Sequence, residues 1–408
     1  MPRLAALALA FLSCGTGPTP PVPLDRPLEP AADPAQIARG QALLAELQCA
    51  RCHDGDALTP PPRERHCVHC HQSILAGDAA VGGDFAAPPA DLARWQHDIT
   101  HLRELPELRG LARLRRSFVA AFLLAPHDLR PGLNTSMPRL HLDEASAQAL
   151  AAALVPDAEP APHEPAGDPT RGRELLGEHG CTTCHAFTGI PPITARPLAH
   201  PPDPATMLRA TQQAPDLRFT RDRLRPAALH TWLADPAAHK PGTLMPDPDL
   251  RPDQIRDLAT YLLTTPLEPS PPPVLPVMLP VLDREVGFAE VDAAIFHKTC
   301  WHCHSDPSYA SGDGGPGNTG GLGFTGASLD LSSHAAITSG SRGPDGKRRS
   351  VFAPLPDGTP RIVAHLLARH AELAGAAPEL RGMPLGLTPV PLADIQLLTT
   401  WIAQGRKP

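Results

Sequence analysis

The chain has 408 residues and a formal net charge of −7, which argues against nucleic acid as a partner and leaves a basic protein surface as a suitable one. Its aromatic residues are only 10 Phe, 4 Trp and 2 Tyr, too few for ordinary aromatic-centred cores, so apolar bulk has to come from elsewhere. Eight of the nine cysteines fall in Cys-x-x-Cys pairs and only Cys14 stands apart, which rules out a disulfide framework.

At the N-terminus one Arg precedes the apolar stretch Leu4 to Leu12, too short to span a bilayer and read as an export signal. Cys14 follows it directly, then Gly15 and a Pro-rich tether over 15–33. Segment 1–14 resembles the lipobox of bacterial lipoproteins, which implies an acylated Cys14 and a membrane-anchored, periplasm-facing chain. Phe11 stands where that motif usually carries Leu, and an ordinary secretory peptide is the alternative.

Four times the chain writes Cys-x-x-Cys-His: at Cys49, Cys52 and His53; Cys67, Cys70 and His71; Cys181, Cys184 and His185; and Cys300, Cys303 and His304. Two thiols at this spacing reach the vinyl groups of a porphyrin, and the next residue is placed to ligate its iron. Zinc knuckles and thioredoxin-like pairs also use Cys-x-x-Cys, but neither requires the histidine that follows every pair here. Four covalently bound haem c groups are therefore expected, with His53, His71, His185 and His304 as proximal ligands.

Proline, at 53 residues, punctuates the chain into three segments, 34–155, 168–265 and 284–405, separated by Pro-rich linkers at 156–167 and 266–283. Asp33-Pro34 predicts a helix start, with Asp as cap and Pro in the first turn, leading through Ile37, Leu43 and Leu44 into Cys49. Asp168-Pro169 repeats the device ahead of Cys181, and Phe288 to Phe296 is a looser version ahead of Cys300. Each segment also ends in a predicted amphipathic helix: Ala145 to Leu154, Asp253 to Leu263 and Ala393 to Ile402.

Shortly before each terminal helix lies a Met-Pro pair, at Met137, Met245 and Met383. Thioether sulfur is a soft, neutral donor suited to ferrous iron, and a following proline stiffens the loop that presents it. The run Phe122 to Pro126, then Met137-Pro138, parallels Trp232 to Pro236, then Met245-Pro246. These three methionines are the expected distal ligands.

On these motifs each segment resembles a class I cytochrome c domain, and Trp401-Ile402-Ala403-Gln404-Gly405 resembles that family's closing helix. The resemblance implies an all-α fold of three tandem helical domains built around covalent haem. It places Met137 opposite His53 and makes the second motif of the first domain supernumerary. For that haem His97 and His101 are the candidate distal ligands, four apart on one face if helical; the converse pairing, with Met137 serving the second haem, stays open.

Two departures from the family pattern stand out. The third segment carries a long insertion, Ser305 to Leu355, with Gly312-x-Gly314-x-x-Gly317 read as loop because no strand precedes it. Lys347-Arg348-Arg349 reads as a solvated loop. The expected function is single-electron transfer between a protein donor and a protein acceptor. Alternatives are an enzyme with one open haem, acting on peroxide or another small molecule, and the cytochrome subunit of a periplasmic dehydrogenase.

Overall fold

The computed structural model describes residues 29–61, 66–78, 80–82, 85–86, 89–99, 105–127, 129–131, 137–157, 166–198, 200–301, 303–305, 328–343 and 345–408. Cys14, His101, His302 and the glycine run 312–317 lie outside them. Fifteen α-helices and only two short antiparallel ladders occur among the described residues, so the all-α expectation holds at that level. None of these helices is long and apolar enough to cross a membrane. The chain divides into two compact units: Ala161–Arg221 with Pro226–Pro272, and Leu28–Pro160 with Asp222–Arg225 and Pro273–Pro408. The first and third sequence segments thus fall in one unit.

In the larger unit, helix α1 (Pro34–Glu46) begins where the Asp33 carboxylate accepts the Ala35 N–H at 3.0 Å and Pro34 sits in the first turn. Its apolar side packs on α5 (Glu144–Leu154), which Asp143 caps through the Ser146 N–H at 2.7 Å. Helix α4 (Arg116–Leu124) closes a core of Leu44, Leu111, Val119, Leu123, Leu150 and Val155. The second haem motif is itself helical, α2 (Cys67–Leu75), and packs on α3 (Pro89–Asp98) through Cys70, Ile74 and Ile99.

The smaller unit repeats this plan. Helix α6 (Pro169–Glu178) is capped by Asp168, whose carboxylate accepts the Thr170 N–H at 2.8 Å. It packs on α11 (Pro252–Thr264), with buried Leu175, Leu176, Leu258, Leu262 and Leu263 between them. The intervening chain forms α7 (Pro204–Gln213), the one-turn α8 (Thr220–Arg223), whose last two residues belong to the larger unit, α9 (Pro226–Ala234) and the one-turn α10 (Pro236–His239).

Both helix crossings depend on a glycine nine positions before the first cysteine of the motif that follows. A Cβ at Gly40 would run into the Ala149 carbonyl, and one at Gly172 into the Asp257 carbonyl. Gly172→Val should force the helices apart and cost about 1–3 kcal/mol, or more, by overpacking. Thermal unfolding of the variant reads this; an unchanged Tm would mean that the crossing is not tight.

The third segment solves the same problem differently, because Val291 stands at the glycine's place. Helix α12 (Phe288–Val291) runs into a π-wound stretch, Asp292–Cys300, closed by the Trp301 N–H on the Phe296 carbonyl at 3.0 Å. The wider winding turns Val291, Ile295 and Phe296 all inward against α15 (Leu392–Ala403) and its fully buried Trp401. Phe288 and Phe352 flank that indole at 5.6 and 5.8 Å between ring centres.

Part of the long insertion is regular rather than loop. Helix α13 (His334–Ser339) leads into a hairpin pairing Ser341–Arg342 with Arg348–Arg349. Arg348, expected in a solvated loop, stays exposed, but its guanidinium donates to the Gly340 carbonyl at 2.8 Å and so caps the end of α13. Helix α14 (Arg361–Leu373) then crosses in front of the Met383 loop.

Candidate functional site

Three of the four motifs are built alike. In each, the histidine N–H donates to the carbonyl of the motif's first cysteine at 3.0 Å: His53 to Cys49, His185 to Cys181 and His304 to Cys300. The first and third motifs enter this turn through a left-handed residue, Gln48 at φ 55 and Gly180 at φ 67. The bend sets both thiols and the imidazole on one compact loop.

The imidazoles are then locked from behind. His53 Nδ1 lies 2.9 Å from the Pro106 carbonyl, His185 Nδ1 2.8 Å from that of Pro215, and His304 Nδ1 3.3 Å from that of Leu329. A carbonyl only accepts, so Nδ1 carries the proton and Nε2 keeps its lone pair, the state a metal-bound histidine needs. Burial holds the His53 and His304 imidazoles below the ordinary histidine range, which favours the same neutral form.

The thiols point away from the rival chemistries. Burial pushes Cys181 up to about 11 and Cys300 up to about 12, whereas a reactive Cys-x-x-Cys redox pair requires a depressed thiol pKa. Beside His185 a cleft of about 240 Å³ is lined by Thr182, Phe187, Thr188, Ile190, Pro191 and Ile193. Paired neutral thiols, a tautomer-locked imidazole and a largely apolar wall fit a covalently held haem.

Two of the three Met-Pro loops pack on the core that also carries their own motif. Met137 and Cys49 pack on one core and Met383 and Cys300 on another. Met245 Sδ accepts the Trp232 indole N–H at 3.0 Å, and its backbone N–H is held by Thr243 Oγ1 at 3.2 Å. A thioether sulfur accepting one N–H keeps a further lone pair for iron. Were that sulfur bound to iron, the donor would withdraw electron density from it and so favour the reduced state.

If Met245 ligates a haem iron, Trp232→Phe should lower the midpoint potential of that haem by about 20–60 mV, the equivalent of a net hydrogen bond of ~0.5–1.5 kcal/mol. A potentiometric titration checks this, and an unmoved midpoint would dissociate Trp232 from the sulfur. In the parallel run of the first segment Phe122 takes this place and has no N–H to offer.

The Met383 loop is clamped by α14. Met383 N–H donates to the His365 carbonyl at 2.9 Å, while His365 Nδ1 donates to the Arg381 carbonyl at 2.7 Å. Behind it the Gly382 N–H donates to Glu372 Oε1 at 2.7 Å, and Glu372 pairs with Arg369 at 3.1 Å. Nothing in the sequence singled out this set. The signal was the spacing of Arg369 and Glu372, three apart on an otherwise apolar helix face.

The second motif is the exception. His66 caps α2, its Nδ1 accepting the His69 N–H at 3.2 Å, and His71 lies within that helix. Of its two candidate distal ligands, His97 is exposed on α3, whose Leu92, Trp95 and Gln96 are the residues turned toward α2. The helix ends at Asp98, and His101 lies outside the described residues.

A second missed feature ties motif one to motif two. His69 Nε2 donates to Asp54 Oδ2 at 2.9 Å, and the His66 and His69 rings stack at 3.6 Å. Because His66 Nδ1 accepts, its proton sits on Nε2, which faces Asp54 Oδ1 at 3.6 Å. The trio is a polar strut rather than a cation cage, since both histidines present N–H groups to the carboxylate.

Helical packing around Cys-x-x-Cys-His turns with tautomer-locked histidines fits a helical haem-binding protein. A family model described as Cytochrome c matches residues 169–266, which is less than half of the chain. No curated protein and no solved structure gives a significant match. The cytochrome c match supports a c-type cytochrome with covalently bound haem c and a haem-based electron-transfer role.

Proposed function

We propose that this chain is an exported tetrahaem c-type cytochrome that carries single electrons between a protein donor and a protein acceptor. Its three cytochrome c-like segments, 34–155, 168–265 and 284–405, would hold the haems, and an acylated Cys14 would anchor it to a membrane, facing the periplasm. The observation that carries the reading is the repeated lock of His53, His185 and His304 on a backbone carbonyl. One locked imidazole is a local accident of packing; three, each following Cys-x-x-Cys, are a design for iron.

When bound, haem c supplies an iron that alternates between ferric and ferrous states. The eight motif cysteines would hold the macrocycles, and the four motif histidines would be the proximal ligands. Met137, Met245 and Met383 would supply thioether sulfur, which raises the potential relative to a second imidazole. His97 or His101 is the candidate for the second haem.

A second reading, a multihaem enzyme, draws on the exposed His97. A five-coordinate second iron would leave a site for peroxide or another small molecule. The test is a carbon monoxide difference spectrum of the dithionite-reduced, haem-loaded chain. No rapid response supports the carrier; a response from one haem in four supports the enzyme.

A further inference from the structure

Motifs one, two and four converge within a single unit. The Cys52 and Cys67 thiols, the last of motif one and the first of motif two, share a hydrogen bond. Cys303, the last thiol of motif four, lies within electrostatic range of Cys67 and of the Arg51 guanidinium, which also acts on Cys52. The strut from His69 to Asp54, which directly follows His53, fixes motif two against motif one at 2.9 Å. On the methionine side, Arg381 Nη2 donates to the Leu140 carbonyl at 3.1 Å, and the His141 imidazole faces Arg381 and His365. The first and third segments therefore meet both at their attachment cysteines and at their methionine loops.

We propose that Cys52, Cys67 and Cys303 form one attachment cluster, so that the three haems these cysteines hold meet at their thioether edges and act as a coupled set. This rests on the haem reading above. Each of these cysteines would bond a vinyl-bearing edge of its own macrocycle, so the contact between the Cys52 and Cys67 sulfurs would set two of those edges side by side, with that of Cys303 nearby. Close chromophores share their strong near-ultraviolet transition, and close irons feel one another's charge. In a titration each iron takes one electron from an external mediator and passes from ferric to ferrous. The first electron added to the set makes the next harder to add.

The experiment is circular dichroism of the oxidised, full-length holoprotein across the Soret band, with intact mass for haem content. The expected result is four haems and a two-signed couplet, most of which disappears in Cys67→Ala/Cys70→Ala while far-ultraviolet dichroism is kept. A couplet unchanged by that variant overturns the cluster. A wild-type mass short of four haems, or one showing a Cys52–Cys67 cystine, defeats the underlying reading instead.

Should the double variant fail to fold, Arg51→Leu supplies the second arm. Removing a cation that faces Cys52 and Cys303 should shift two or more of the four reduction equilibria toward the oxidised state, each by at least about threefold. A shift confined to one component, or none, contradicts the cluster.

Discussion

On the proposed tetrahaem reading, Met245→Ala should convert the third haem from a sealed electron site to an open one. The variant loses the sulfur that Trp232 holds, and the Trp232 and Thr243 side chains that bond Met245 contribute an indole N–H and a hydroxyl. Neither replaces thioether as a soft donor to ferrous iron. Axial ligand identity moves haem potentials over a range of about 0.8 V, so the midpoint of this haem should fall on the order of 0.1–0.2 V. Carbon monoxide should then bind one haem in four. Potentiometric titration and the reduced difference spectrum read both effects, and an unchanged midpoint with continued refusal of carbon monoxide would remove Met245 from the coordination sphere.

Glu372→Ala should strongly damage the fold of the third segment. Glu372 is 6% exposed and its partner Arg369 1%, so truncation leaves a guanidinium without its counter-charge in the interior. Breaking such a pair costs ~3–5 kcal/mol, enough to lower the Tm of that segment on the order of 10 °C. The Gly382 N–H loses its acceptor at the same time, which frees the loop that presents Met383. Glu372→Gln should recover part of the loss, because an amide oxygen still accepts from Gly382. Equal stability of the alanine variant and the parent would show that the clamp is not made.

How legible this arrangement was differs from feature to feature, for physical reasons. Short-range chemistry read well. The capped starts at Asp33-Pro34 and Asp168-Pro169 appear as helices from Pro34 and Pro169, since an N-cap needs only its own three or four neighbours. The closing helices run Glu144–Leu154, Pro252–Thr264 and Leu392–Ala403, within about a residue of their predicted limits, because amphipathic period and capping act together there.

Features set by distant partners were not legible. Whether Asp292–Cys300 winds as α or π depends on how Val291, Ile295 and Phe296 meet Trp401, more than a hundred positions away. The Asp54, His66 and His69 strut needs the fold of two motifs before its partners meet. In the insertion, Arg348 looked like solvated charge until its helix-end carbonyls at Ser339 and Gly340 were known.

At the site itself, the four cysteine pairs and their histidines were explicit in the sequence. The carbonyls that lock them were not, since Pro106, Pro215 and Leu329 lie at different distances along the chain from His53, His185 and His304 and act through backbone atoms. A backbone acceptor leaves no mark on residue identity.

The central claim is that all four motifs hold covalent haem, and the most direct measurement is the alkaline pyridine haemochrome of the purified chain, taken against its protein concentration. Four haems per chain, with the band position of a porphyrin whose vinyl groups are both saturated, is the predicted result. A value of three or fewer from a preparation made with full haem-attachment machinery would contradict it and leave at least one Cys-x-x-Cys-His turn with a different purpose.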